Sequence, residues 1–429
     1  VTMFKIASGV SLLFQNYALS TKNQLSSTPL DAANVKTMPL KRSLSFAGKW
    51  KTLNGESKWK GLLDPLDIDL RQYIIHYGEL AQATYDSFNS NKWSRNAGKC
   101  FFKETDFFHK VGLHKSSSYK YSIAKFFYAT SSVTTPYGFL MKSLSREAQN
   151  KESNWIGYVA VVTDESKELM GRRDIVIAWR GTVQNMEWAS DFDAAIVSAS
   201  SIFPKTNAMI HHGFMSLYTS TDSLSTLNQI SARDQIIQEV KRLVELYKDE
   251  EISITVTGHS LGAAMSTLTA ADIAANKINK PLSNPGKPCP VTAIVLASPK
   301  LGDKSFIDLC SSCDELRVLR VRNNNDIVPN LPPIGYMEVG VELKIDSSKS
   351  PYLKQINADY HNLEGYLHGV AGTQGTKQEF KLEIPRPLGL VNKSMDGLKD
   401  EHHVPPSWWI LQNKGMTQLD DGSWELIDN

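Results

Sequence analysis

Apolar positions recur along this chain in two rhythms. The first is brief: Ile156 to Val162, Asp174 to Trp179, Ile252 to Val256 and Val291 to Leu296 are mainly apolar runs rich in β-branched residues, and Leu316 to Val321 sets Arg317 and Arg320 among Leu and Val. Such runs predict strands, with 252–256 a buried one. Gly340 to Ile345 reads as a further strand. The second rhythm is helical. Leu70 to Phe88 sets Tyr73, Ile74, Tyr77, Leu80, Ala81 and Phe88 on one face, with Asp67 or Asp69 placed to cap it. Arg233 to Tyr247 lines Ile236, Ile237, Val240, Leu243, Val244 and Tyr247 along one stripe, with Glu and Lys opposite. Ala263 to Ala275, rich in Ala, Leu and Met, suits a helix. Asp303 to Leu309 begins another, and His361 to Val370 is a short one.

Strands and helices therefore alternate through the second half. That order predicts an α/β fold, a doubly wound and mostly parallel sheet with its functional loops at the C-terminal strand ends. The strands at 156–162 and 174–179 read as a hairpin joined by a charged turn. Asn89 to Tyr121 is polar, aromatic and irregular, with Phe101-Phe102 and Phe107-Phe108 expected to pack it onto a core. Residues 185–212 carry little regular pattern and several apolar side chains, including Phe192, Ile196 and Phe203. They read as a lid over an apolar site or as a packed surface loop.

Composition sets the outer bounds. Residues 1–45 are rich in Ser, Thr, Leu and Ala and hold a single acid, Asp31. They fit a transit-like leader or a disordered tail, outside a single folded domain at 46–429. The whole chain has 429 residues and a formal charge of +2, so nucleic acid is not an implied partner. No run reaches the roughly 18 apolar residues of a membrane span. Cys310 and Cys313 form a C-x-x-C with no second pair, and the four cysteines read as core residues of a reducing compartment. The cytosol is expected, with the plastid as the alternative if residues 1–45 are a transit segment.

The chemistry sits between the strand at 252–256 and the helix at 263–275. There Gly258-His259-Ser260-Leu261-Gly262 is a G-x-S-x-G turn. A strand, a sharp turn and a helix would hold the Ser260 hydroxyl above the sheet at a helix N-terminus, where backbone N–H groups meet developing negative charge. A serine hydroxyl is a weak nucleophile and needs a base, and the base needs an acid to fix its tautomer. In this architecture the chain order is serine, acid, histidine. Asp326, in the polar loop Arg322 to Pro329 after a strand, is the preferred acid over Asp303, which suits a helix cap; Asp272 and Asp308 fall within helices. Among the histidines that follow, His361 precedes a helical pattern and is preferred over His368 inside it. His402 and His403 look peripheral, and His259 reads as a packing residue or a support for the site. For the oxyanion, Arg180-Gly181-Thr182 follows a core strand, so Thr182 is a donor candidate, with an ordinary turn as the alternative. His211-His212-Gly213 ranks lower because no comparable strand precedes it. No metal or cofactor motif is present, so neither is expected.

These residues carry a resemblance. Gly258 to Ala264, Trp179-Arg180-Gly181-Thr182 and Asp326-Ile327-Val328-Pro329 resemble the class-3 lipase family. Asn154 to Ala160, Gly171 to Ile175, His361 to Gly369 and Leu398 to Glu401 resemble its plant phospholipase A1 branch. The resemblance covers about residue 46 to the end. It implies an α/β-hydrolase that releases the sn-1 fatty acid of glycerolipids at a membrane or lipid-droplet surface, without a metal. It further implies Ser260 as nucleophile, Asp326 as acid, His361 as base and the N–H groups of Thr182 and Leu261 as the oxyanion hole. Fungal relatives often carry Ser where this chain has Thr182, a change that a backbone donor tolerates. The alternatives are a galactolipase or neutral-lipid lipase with the same triad, and a non-catalytic scaffold on the same fold.

Overall fold

A computed structural model describes residues 46–133, 140–144, 153–182, 195–354, 360–375, 378–409 and 416–426. The leader expected at 1–45, and Phe192 with the first part of the expected lid, lie outside the described residues. Leu44–Asn429 forms one compact unit.

Among the described residues, the main sheet has seven strands that lie side by side in chain order. They are β1 Tyr121–Ala129, β2 Asn154–Val162, β3 Arg173–Trp179, β4 Ile252–His259, β5 Val291–Leu296, β6 Leu316–Asn323 and β7 Val341–Ile345. The β1/β2 and β2/β3 pairs are antiparallel, and every later pair is parallel. Residues of β2 to β5 are buried without exception, which is why they spell near-continuous apolar runs.

The helices divide between the two faces. Alternate strand residues feed alternate cores, as the strand repeat of two requires. Ile175, Ile177 and Trp179 join one core with Val240, Leu268 and Phe306. That core gathers α3 His212–Thr219, α4 Ala232–Leu246, α5 Leu261–Ala275 and α6 Lys304–Ser311. Val176 and Ala178 join the opposite core with Tyr77, Leu80 and Leu367, under α1 Ile68–Asp86 and α7 Leu363–Gly372. Asp67 caps α1, accepting from the N–H groups of Asp69 and Leu70. A buried polar knot pins α1 to the sheet. The Asp174 carboxylate accepts from Tyr77 Oη at 2.7 Å, Tyr121 Oη at 2.8 Å and Ser253 Oγ at 2.7 Å, beside a fully buried Arg172.

Strand β1 and the connection from β2 to β3 differ from the sequence reading. Strand β1 was not expected, because Tyr121-Ser122-Ile123-Ala124-Lys125 mixes polar and apolar positions, as an edge strand does. The charged turn between β2 and β3 is a short helix, α2 Asp164–Met170, ended by Gly171 at φ 73°. Its acidic first turn and left-handed glycine cap are helix signals that the hairpin reading overlooked. Cys289, Cys310 and Cys313 are buried, the first two with thiols pushed up by burial, to about 12 for Cys289. No helix among the described residues is long and apolar enough to cross a membrane.

Candidate active site

Strand β4 ends at His259 and α5 begins at Leu261, so a single residue, Ser260, makes the turn. It does so at φ 58°, ψ −125°, a region that costs a non-glycine residue on the order of 1–3 kcal/mol. The turn is locked from three sides. Ser260 N–H donates to Leu296 O on β5 at 3.0 Å, and its carbonyl accepts from Ala263 N–H at 2.9 Å. Gly262 presses against β3, where a Cβ would stand 2.4 Å from Trp179 O. The Ser260 side chain does not cap its own helix and is left to other work.

That work is plain from the distances. Ser260 Oγ lies 2.8 Å from His361 Nε2, and His361 Nδ1 lies 2.7 Å from Asp326 Oδ2. The three residues come from three loops at the C-terminal ends of the strands. Asp326 follows β6 and is fully buried, and His361 directly precedes α7, which Asn362 caps through Gly365 N–H. The carboxylate is held independently of the histidine: Val328 N–H donates to Oδ1 at 3.0 Å, and Tyr366 Oη donates to Oδ2 at 2.5 Å. An anionic acceptor therefore faces His361 Nδ1, which holds the proton there and leaves Nε2 as the acceptor towards Ser260.

The competing residues are engaged elsewhere. Asp303 caps α6, accepting from Phe306 N–H at 2.9 Å. Asp272 pairs with Arg233 at 2.7 Å, and Asp308 pairs with Lys304. His211 caps α3, accepting from Gly213 N–H, after a three-residue strand Met209–His211 that the sequence did not reveal. His402 and His403 lie in a separate 3-10 turn. His368 sits mid-helix, with Nε2 2.7 Å from Ser350 Oγ and its ring stacked on Phe380.

Burial holds His368 neutral, with its pKa down to about 3 from an ordinary 6.5. The unfolded chain thus takes up a proton at this site first, and stability present above pH 6.5 is lost as pH falls towards 3. Exchanging His368 for Gln removes this linkage. Urea denaturation at pH 7 and 5 is expected to show His368→Gln gaining about 2 kcal/mol relative to wild type on going to the lower pH. A pH-independent difference between the two proteins would contradict that.

The start of α5 and the turn after β3 adjoin the elbow, where a Cβ on Gly181 would stand 2.5 Å from His259 O. Leu261 N–H belongs to the first turn of α5, where no intrahelical acceptor exists. Thr182 N–H belongs to the peptide whose other end is the Gly181 carbonyl, and that carbonyl accepts from Arg180 Nη1 at 2.9 Å. Arg180 is itself fixed. It is fully buried over the Phe88 ring at 3.7 Å, donates from Nε to Trp155 O at 3.3 Å, and has its pKa lowered to about 10 by burial. The guanidinium thus sets the plane of the Gly181–Thr182 peptide and draws its electrons, making the N–H a better donor.

The sequence reading missed Tyr366, Tyr85 and Arg386. Arg386 Nη2 pairs at 2.6 Å with Glu364, in the first turn of the helix that follows His361. Nothing in their spacing marks them, since each belongs to a different element. No group of residues that could hold a metal occurs among the described residues.

Residues 176–336 match the family model described as Lipase (class 3). Of solved structures, a lipase from Rhizopus microsporus var. chinensis aligns over 66% of this chain and 76% of its own, with a TM-score of 0.42 and 20% identity. Phospholipase A1-II 1 of Oryza sativa is 50% identical over 90% of this chain and 97% of its own. Phospholipase A1-IIgamma of Arabidopsis thaliana is 56% identical over 90% of this chain and 93% of its own. Identity at that level, held across nearly the whole length of both proteins, places this chain in the phospholipase A1-II family of class 3 lipases.

Proposed function

We propose that this chain hydrolyses the sn-1 acyl ester of glycerophospholipids, with Ser260 as nucleophile, His361 as general base and Asp326 as the acid that orients it. The observation that carries the reading is the unbroken hydrogen-bond line from Ser260 Oγ through the His361 ring to Asp326. His361 Nε2 takes the hydroxyl proton as Oγ attacks the ester carbonyl. The Thr182 and Leu261 N–H groups receive the oxyanion, and losing one such donor typically costs ~10²–10³ in rate. His361 then hands the proton to the departing lysolipid oxygen. Water enters, loses a proton to the same nitrogen and cleaves the acyl-enzyme, returning Ser260 and releasing the fatty acid. The position and head group are drawn from the relatives' names; an assembled triad argues against a passive scaffold.

The substrate lies in a lipid surface, and we assign the contact to the loop after Asp326. Ile327 is 55% exposed and Ile334 84% exposed, on either side of Pro329, Pro332 and Pro333. Such apolar tips, held by prolines beside the triad acid, suit shallow insertion among acyl chains. Ile334→Asp is expected to lower hydrolysis of phosphatidylcholine vesicles roughly tenfold or more, since losing one buried Ile forfeits about 1.5–3 kcal/mol. Turnover of a soluble short-chain ester by the same variant should be unchanged; an equal loss on both substrates would remove the loop from the interface.

The direct test of the activity uses phosphatidylcholine, monogalactosyl diacylglycerol and monoacylglycerol, the two-chain lipids bearing distinguishable sn-1 and sn-2 chains. Release of the sn-1 chain from phosphatidylcholine supports the reading. Preference for the galactolipid or monoacylglycerol would reassign the head group, and release of nothing would favour the scaffold.

A further inference from the structure

The two halves of the site, the oxyanion turn after β3 and the histidine before α7, are far apart in the chain. A side-chain bridge joins them. His259 Nε2 lies 2.7 Å from the backbone oxygen of His361. A carbonyl only accepts, so Nε2 carries the hydrogen. Neutral His259 then accepts at Nδ1, and Tyr85 Oη, 2.8 Å away, donates to it. The Tyr85 hydroxyl itself lies against Gly181 in the turn after β3. The order is Tyr85 O–H to His259, then His259 N–H to His361 C=O. Both bonds point the same way, so each strengthens the other.

The surroundings are shaped to this bridge. A Cβ on Gly181 would stand 2.0 Å from Tyr85 Oη, so only glycine lets the hydroxyl reach the turn. His259 is buried, with its ring 4.7 Å from that of His361 and edge-on to Tyr366. Burial, and secondly the neighbouring His361, hold its pKa well below the usual imidazole range. A neutral His259 keeps the direction of the bridge fixed and puts no second cation beside the His361 imidazolium.

We infer that Tyr85 and His259 are positioning residues that set the distance between the Gly181–Thr182 oxyanion turn and the base His361. Gly181 is packed against the Tyr85 hydroxyl and held at its carbonyl by Arg180, which restricts how far the Thr182 donor can tilt. At the other end the His361 main chain is held at its carbonyl, so only the side-chain torsions remain to place Nε2 on Ser260. The inference rests on the catalytic reading above, in which His361 is the base and Thr182 a donor.

The test is steady-state hydrolysis of soluble p-nitrophenyl butyrate, with active sites counted by a fluorophosphonate. Tyr85→Phe removes a single oxygen and His259→Leu removes the ring donor and acceptor. Each is expected to lower kcat per titrated site by ~10- to 10²-fold, the scale of a small misplacement of reacting groups, with KM changed by less than about twofold. Because the bridge acts as a unit, the double variant should lose little more than the worse single one. His259→Gln, which keeps an N–H near the Nε2 position, should recover most of the loss. A structural role alone would lower the melting temperature and the number of titratable sites while leaving kcat per site intact, and that result in Tyr85→Phe would overturn the inference. So would losses that multiply in the double variant. Should His259→Leu fail to fold, Tyr85→Phe and His259→Gln still decide the matter. A wild type that does not turn over the ester would instead overturn the proposed function itself.

Discussion

Ser260→Ala is expected to lower kcat by ~10⁶-fold, the scale seen when a serine hydrolase loses its nucleophile. The fold should survive, because Ala removes only the hydroxyl, and that oxygen bonds to His361 rather than to the helix it precedes. The strained turn is built from backbone bonds to Leu296 and Ala263, which Ala retains. Residual activity would come from the Thr182 and Leu261 donors and from substrate binding, both untouched. Hydrolysis of phosphatidylcholine, followed by the fatty acid released, together with a thermal melt, checks both halves. A variant that keeps a substantial fraction of the rate would show that the acyl group is not carried by Ser260.

The second large effect is expected from Asp326→Asn, at ~10⁴-fold in kcat. The argument comes from the contacts of the carboxylate. Val328 N–H donates to Oδ1, which the Asn carbonyl oxygen can replace. The amide nitrogen then falls at the Oδ2 position, facing His361 Nδ1. An N–H there donates, so Nδ1 becomes the acceptor and the ring proton moves to Nε2, against Ser260. The base is then protonated on the nitrogen that should receive the hydroxyl proton. Stability should fall less than activity, since the Tyr366 hydroxyl loses its carboxylate acceptor but keeps its buried ring. Steady-state kinetics on a soluble ester would read the loss, and a drop below about tenfold would place the orienting charge elsewhere.

Each strand that the second half of the sequence announced is present, because a paired strand packed in the sheet keeps a short run dominated by apolar and β-branched residues. The same pattern concealed β1, an edge strand, and α2, whose seven residues are too few to show a helical repeat. Ser260 was legible because an elbow needs glycine two residues to either side, and that requirement is local in sequence. Asp326 and His361 were legible by chain order and by elimination. The elimination had a physical basis: Asp303 and His368 carried the marks of a helix cap and a mid-helix residue, and the structure finds them in those roles.

What the sequence alone determined is most of the sheet, the elbow and the three side chains that the structure joins in one hydrogen-bond line, since each left a mark in its own stretch of chain or in the chain order. What only the tertiary structure decided is how those side chains are held. Tyr366 on the Asp326 carboxylate, Arg180 on the Gly181 carbonyl, Tyr85 on His259 and His259 on the His361 carbonyl are contacts of hydrogen-bond length. Tyr85 and His259 are 174 residues apart, and no periodicity encodes such a pair. A hydrogen bond requires its atoms within about 3 Å, and only the packing of α1 and α7 on one face of the sheet brings them there.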